Sequence, residues 1–171
     1  LLPERPDSGT LEPIMSDKVP MTLTGKLALE DELKRLKSVD RPAVIEAIAV
    51  ARAHGDLSEN ADYSAAREKQ SFIEGRILEI GDKLARAEVI DPKAIKSEKI
   101  VFGATVTVAD EDGKKQRYQI VGETEADLSK GKISISSPIA RALLSKMEGD
   151  EAVVKSPKGE IVYEILSIEY I

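Results

Sequence analysis

Asp56 and Glu59 are the side chains in this sequence best placed to do chemistry. They stand three residues apart in the run ARAHGDLSENADYSAAREKQ (51–70), where the stretch from Ala53 to Ala66 adds a third acid, Asp62, and has no Lys or Arg. On a helical turn that spacing puts two carboxylates on one face. Such a pair offers hard oxygen donors to Mg²⁺, an ion that is six-coordinate and commonly keeps waters or borrows substrate phosphates. Two carboxylates are too few to hold it alone, so the pair reads as a half-site. Beside a metal and a phosphodiester presented by another macromolecule, it could hold a second ion and orient or deprotonate an attacking water, as two-metal hydrolysis requires. A structural reading stands next to this one. Asp56-Leu57-Ser58-Glu59 has capping-box spacing, with Asp56 as N-cap and Glu59 reaching back to its amide. The two are compatible, because capping would also preorganise the acids.

Arg52 and Arg67 bracket the acidic run. They could grip an RNA phosphate beside the acids, or they could form ordinary surface ion pairs, each worth about 0–1 kcal/mol. His54 is the sole histidine. A Ser58–His54–Asp56 triad would be too crowded, so His54 reads as a surface residue near a helix end.

The elements around the run must position it. Thr24 is a good N-cap for a first helix, in which Leu29, Leu33 and Leu36 keep a 4,3 spacing. Pro42 lacks an amide proton and biases Arg41 away from helix, which predicts a kink or short break at 40–42. The pattern resumes with Val44 or Ile45, Ile48 and Ala51, to end near Ala53, with Gly55 suited to the left-handed position after a helix. On the return, Tyr63, Ala66, Gln70, Ile73, Ile77, Ile80, Leu84 and Ala87 alternate spacings of three and four. That is a coiled-coil seam. Helices of roughly 25 to 30 residues make an arm about 40 Å long, with the acids at 54–60 on its tip.

Beyond the arm the pattern changes. Residues 91–99 contain the Asp91-Pro92 break and read as a linker. From residue 100 on, alternation predicts strands near 101–108, 117–121, 132–136, 151–155 and 160–170, with a hairpin turn at Glu111-Asp112-Gly113. Pro138 opens a helix over 139–147, proline being favoured in the first turn. This half is expected to be a small antiparallel sheet with one helix, giving a two-domain α and α+β chain. Ser136-Ser137-Pro138 joins a strand to that helix, either as a cap by Ser137 or as a partner-binding loop. Residues 1–14, with three Pro and no period, are expected to be a disordered leader, native or not, with Met15 or Met21 as a plausible start.

Bulk properties narrow the function classes. With 171 residues, 42% hydrophobic, the chain is expected to fold into one large or two small globular domains. A net charge of −6 gives no general drive toward nucleic acid or anionic membrane, and Arg or Lys contacts to RNA would have to be local. Without Cys there is no disulfide, thiolate metal site or cysteine nucleophile, which fits a cytoplasmic protein. No apolar run approaches a membrane span and no signal-peptide pattern is present. With only 4% aromatic residues, a deep aromatic pocket is not expected, which argues against a prolyl isomerase. A pure coiled-coil adaptor, its acids serving as caps, is a third class.

The run at 51–70, together with PMTLTG at 20–25, FGATVTV at 102–108 and SSPIARALL at 136–144, resembles the bacterial transcript cleavage factors of the GreA family. The likeness extends from about Met15 to Ile171. It implies an N-terminal antiparallel coiled coil over 15–90 and, over 100–171, a domain of the FK506-binding-protein (FKBP-like) type. It also implies that the C-terminal domain binds RNA polymerase at the rim of the secondary channel while the coiled coil enters the channel. There the tip acids stimulate the polymerase's own cleavage of the backtracked RNA 3′ end, so the protein is not an enzyme by itself. The positions matching the family's acids are Asp56 and Glu59, which would share Mg²⁺ with polymerase and bind no cofactor alone. Arg52 and Arg67 match its basic residues near the RNA. Ser136, Ser137 and Pro138 fall in its polymerase-binding loop, where the residue before Ser-Pro is often Asn or Asp. A monomer with no membrane partner is expected. The competing expectation is a channel-binding regulator that does not promote cleavage. The arm is not strongly basic, which favours the GreA branch over GreB.

Overall fold

The computed structural model describes residues 18–57 and 59–171. The expected leader at 1–14 and Ser58 lie outside the described residues. The chain divides into two units, Leu23–Ala85 and the remainder.

The first unit is a helical hairpin. α1 (Leu23–Arg35) starts one residue ahead of Thr24. α2 (Arg41–Ala53) and the 25-residue α3 (Ala61–Ala85) follow. Leu29, Leu36, Val44, Ile48 and Ala51 are buried, facing Ala66, Ile73, Ile77 and Ile80 of α3. At 1.5 Å per residue α3 is about 38 Å long.

The break expected at Pro42 is resolved without interrupting the helix. Residues Leu36–Asp40 form a π-helical turn, and the Arg41 N–H donates to the Leu36 carbonyl five residues back. Pro42 follows this turn at the start of α2, where its missing N–H removes one donor to the carbonyls of the preceding turn. The wide turn absorbs one extra residue, so Leu36 and Val44 are eight apart and yet share a face. Val44 is therefore buried and Ile45 exposed.

Ion pairs fasten the two sides of the hairpin. Arg41 Nε and Nη2 reach the two oxygens of Glu74 at 2.7 and 2.9 Å, and Arg76 grips Glu32 in the same fork at 2.7 and 2.9 Å. Arg76 Nη1 also lies 3.2 Å from Glu79, which Lys83 approaches at 2.8 Å. The hydrogen bonds from Arg76 and Arg41 hold the Glu32 and Glu74 carboxyls below their ordinary range, and those from Lys83 and Arg76 do so for Glu79.

The helical unit is narrower than the 15–90 span expected for it. β1 (Val19–Thr22) and β2 (Ala87–Ile90) pair in parallel and belong to the second unit. Ala87, expected at the end of the helical seam, is the first residue of β2. Met21 is fully buried. The Thr22 amide donates to Glu125 Oε2 at 3.0 Å and its hydroxyl to the other oxygen of that carboxylate, while the Gly122 amide donates to Oε2 at 3.2 Å. A Cβ at Gly122 would come within 2.3 Å of the Pro20 carbonyl oxygen, so this close approach of chain to chain requires glycine.

The rest of the second unit is a five-stranded sheet of β3 (Thr105–Ala109), β4 (Lys115–Val121), β5 (Lys132–Ser134), β6 (Glu151–Ser156) and β7 (Gly159–Glu169), in the order β5-β4-β3-β7-β6. The expectation of an antiparallel sheet needs correction, because β4 and β5 run parallel and the sheet is mixed. The segment between them makes two short 3₁₀ turns, at Glu123–Glu125 and Leu128–Lys130, instead of a hairpin. A bulge between Thr107 and Val108 where β3 meets β7 adds bend and twist. α4 (Pro138–Leu143) is shorter than the 139–147 expected, since the chain turns at Ser145, whose φ is +69°. Ala140 and Leu143 of α4 pack onto the sheet core of Val106, Val108, Ile120, Ile133 and Ile165. Tyr170 clamps the linker end to the last strand, its hydroxyl donating to the Lys99 carbonyl at 2.5 Å and accepting from the Val101 amide at 3.2 Å.

Candidate functional site

The tip is built from the inner ends of α2 and α3. α2 closes at Ala53 with the amides of His54 and Gly55 donating to the carbonyls of Ala51 and Arg52, at 3.2 and 3.4 Å. Gly55 has φ +111°, a conformation open to glycine and strained for other residues. Asp56, Leu57 and Glu59 then cross to Asn60, which precedes α3, and Asp56 and Glu59 are exposed. They lie on a connecting turn rather than within a helix, so the shared helical face expected of them does not apply. His54 caps the C-terminus of α2 and is exposed.

The capping box expected at Asp56–Glu59 is a second correction. Tyr63 is the third residue of α3, and its N–H donates to Asn60 Oδ1 at 3.0 Å. Asn60 is thus the N-cap, as effective a residue for the purpose as Asp. Its Nδ2 also donates to the Ala51 carbonyl at 2.7 Å. The sequence signal for this was present in the seam. If the apolar pattern begins at Tyr63, a polar cap three residues earlier is Asn60.

Both bracketing arginines are exposed and each is steadied by a neighbour on α3. The Arg52 guanidinium lies over the Tyr63 ring, 5.9 Å from its centroid, within cation–π range. Arg67 Nη1 donates to Gln70 Oε1 at 3.0 Å. Two carboxylates with two cations on the flanking helices make a surface that can meet a metal ion and a phosphodiester together. Among the described residues there is no group of three or more His, Cys, Asp or Glu placed to hold a metal ion.

Ser136, Ser137 and Pro138 sit at the start of α4. Ser137 caps it, accepting from the Ala140 amide at 3.2 Å. Ser136 donates to Glu123 Oε1 at 2.8 Å and shares a 2.8 Å hydrogen bond with the Ser134 hydroxyl. Ser137 and Pro138 line a largely apolar groove of about 720 Å³, together with Leu128, Ile139, Val154 and Ile161. Leu128 is 76% exposed. Sequence reasoning passed over this groove, because its lining comes from four separate segments.

Residues 19–89 match the family described as "Transcription elongation factor, N-terminal" and residues 95–170 the one described as "Transcription elongation factor, GreA/GreB, C-term". The chain belongs to the GreA/GreB family of transcription elongation factors. It is 60% identical to transcription elongation factor GreA of Hyphomonas neptunium over 155 residues, which is 90% of this chain and 99% of that protein. It is 61% identical to GreA of Ralstonia nicotianae, covering 90% and 98%. Among solved structures it is similar to the GreA factor homolog 1 protein of Thermus thermophilus, at 25% identity and a TM-score of 0.41, over 89% of this chain and 99% of that one. As in the sequence-based expectation for this family, a helical hairpin precedes a curled sheet with one helix. No described helix is long and apolar enough to cross a membrane.

Proposed function

We propose that this GreA/GreB family member binds RNA polymerase and stimulates endonucleolytic cleavage of the 3′ end of backtracked nascent RNA, rescuing arrested complexes. The observation that carries the reading is the placement of Asp56 and Glu59, exposed on the turn that joins α2 and α3 at the end of a long hairpin. A hairpin of this kind suits a narrow channel, and at its tip the residues are small, with Ala61, Ser64, Ala65 and Ala66 opening α3.

The donor set fits Mg²⁺, since both groups are hard carboxylates with no soft ligand beside them. Asp56 and Glu59 would hold the ion jointly with polymerase, and the bound ion would supply activation of the attacking water. The chain's own part is to bring two negative charges to the phosphodiester on a fixed turn. Arg52 and Arg67 contact the RNA phosphates and offset the repulsion between those carboxylates and the RNA. The Ser136–Ser137–Pro138 loop and the apolar groove beside it contact polymerase and anchor the factor. On this reading the chain has no nuclease activity of its own.

The deciding experiment is cleavage of a backtracked elongation complex with and without the protein. Release of a short 3′ RNA fragment, faster than by polymerase alone, is the expected result. Binding that leaves the cleavage rate unchanged would instead make the protein a channel-occupying regulator.

A further inference from the structure

We propose that Asn60 is a positioning residue for the acidic pair, a single side chain that fixes both ends of the turn carrying Asp56 and Glu59. The inference rests on the cleavage reading above and extends it to a residue outside the acids and arginines. Asn60 Nδ2 donates to the Ala51 carbonyl in the last turn of α2 at 2.7 Å. Its Oδ1 accepts from the Tyr63 amide in the first turn of α3 at 3.0 Å, and its own carbonyl accepts from the Ser64 amide at 3.1 Å.

The chemistry of the partners fixes the orientation of the amide. A backbone carbonyl only accepts and a backbone N–H only donates, so the nitrogen must face Ala51 and the oxygen Tyr63. Only a carboxamide carries a donor and an acceptor side by side on so short a stem. An aspartate at this position would cap α3 equally well but would turn a negative oxygen toward the Ala51 carbonyl. A serine would cap too, but its one hydroxyl could not also span to α2.

A cap alone needs only the oxygen. The second bond ties the last turn of α2 to the start of α3, and the chain between the two anchors, residues 52–59, contains both acids and Gly55. Removing it cuts the side-chain tie between α2 and α3, and the turn can then shift by the fraction of an ångström to which catalysis is sensitive. A misplacement of about 1 Å can cost about 10²-fold in rate.

The test uses the full chain with Asn60→Ser and Asn60→Asp. Each variant is read for melting temperature, for amide hydrogen exchange at residues 55–59, and for cleavage of a backtracked complex across a range of factor concentrations. The expected result is near wild-type melting, faster exchange confined to the turn, an unchanged half-saturating concentration, and a maximal stimulated rate lowered at least about tenfold. A wild-type maximal rate in Asn60→Ser, with the wild-type protein active, overturns this proposal alone. So does a variant that needs more factor but reaches the same maximum, because that is the mark of a cap and nothing more. A wild-type protein that stimulates no cleavage overturns the cleavage reading and this inference with it.

Discussion

Replacing Asp56 by Asn separates structure from chemistry at the tip. Asp56 is exposed, and the α3 amide that a cap would serve is satisfied by Asn60 instead. Asn also keeps an acceptor oxygen where Asp has one, so a local hydrogen bond to the side chain survives the change. Surface substitutions of this kind stay within about 0.5 kcal/mol, which for a chain of this size is a melting shift of about 2 °C or less. The charge is lost completely. Removing one preorganised electrostatic contact to a transition state typically costs about 10²–10³ in rate, equivalent to about 2.7–4 kcal/mol. The effect on chemistry thus exceeds the effect on stability at least fivefold. Asp56→Asn should therefore melt with the wild type, compete with it for polymerase, and lose most of its stimulation of RNA cleavage. Glu59→Gln should behave alike. Gel analysis of RNA released from a stalled complex, with competition binding on the same preparations, provides the measurement. If both variants stimulate near the wild-type rate, the acids do no chemistry and the reasoning fails. If either melts many degrees lower, the acid is structural after all.

Four further outcomes are expected. Replacing residues 23–85 by a flexible linker should leave polymerase binding and abolish stimulation. β1 and β2 run parallel over four residues, so the linker must recross about 13 Å, and six or more Gly/Ser residues suffice; loss of binding in a folded variant would put the anchor in the arm. Gly122→Ala should destabilise the second unit by about 1–3 kcal/mol, because its Cβ meets the Pro20 carbonyl oxygen at 2.3 Å, and thermal melting reads this directly. Glu32, Glu74 and Glu79 have carboxyls held below the ordinary glutamate range, so their contribution to arm stability is complete above about pH 4.3 and fades as pH falls through their lowered folded values. Helical circular dichroism on melting, between pH 6 and pH 3, should show that loss, and Arg76→Gln should flatten it. Calorimetric titration of the isolated protein with Mg²⁺ should show no micromolar binding, since two exposed carboxylates leave most of the six-coordinate shell to water.

The sequence made the helical seam legible and left its registration ambiguous. Ile73, Ile77 and Ile80 follow a spacing of four and three and are all buried, because on a long helix the apolar period has room to repeat. The π turn could not be read the same way. Its one-residue slip makes Leu36 and Val44 eight apart, and in a regular 3.6-residue period neither Val44 nor Ile45 falls on the Leu36 face. The β1–β2 pair was invisible for a different reason. Four-residue strands carry no usable period, and Val19 meets Ala87 only because the intervening hairpin returns the chain. The parallel pairing of β5 with β4 was likewise hidden, since alternation marks a strand's faces and says nothing of its direction.

At the tip, the carboxylates were legible as chemistry but their relation to the helix was misread. Asp56-Leu57-Ser58-Glu59 satisfies the capping-box pattern, whereas Asn60-Ala61-Asp62-Tyr63 does not, because Tyr63 has no carboxylate or amide with which to reciprocate. Pattern therefore favoured the wrong cap, while the apolar seam, which begins at Tyr63, favoured the right one. The difference bears on mechanism. A carboxylate that caps a helix has its lone pairs directed at backbone amides and its charge partly offset by the helix dipole, which weakens it as a metal ligand. In α3 the neutral Asn60 serves the Tyr63 amide in that role. Asp56 and Glu59 lie on the exposed turn, as the proposed half-site, to be completed by another molecule, requires.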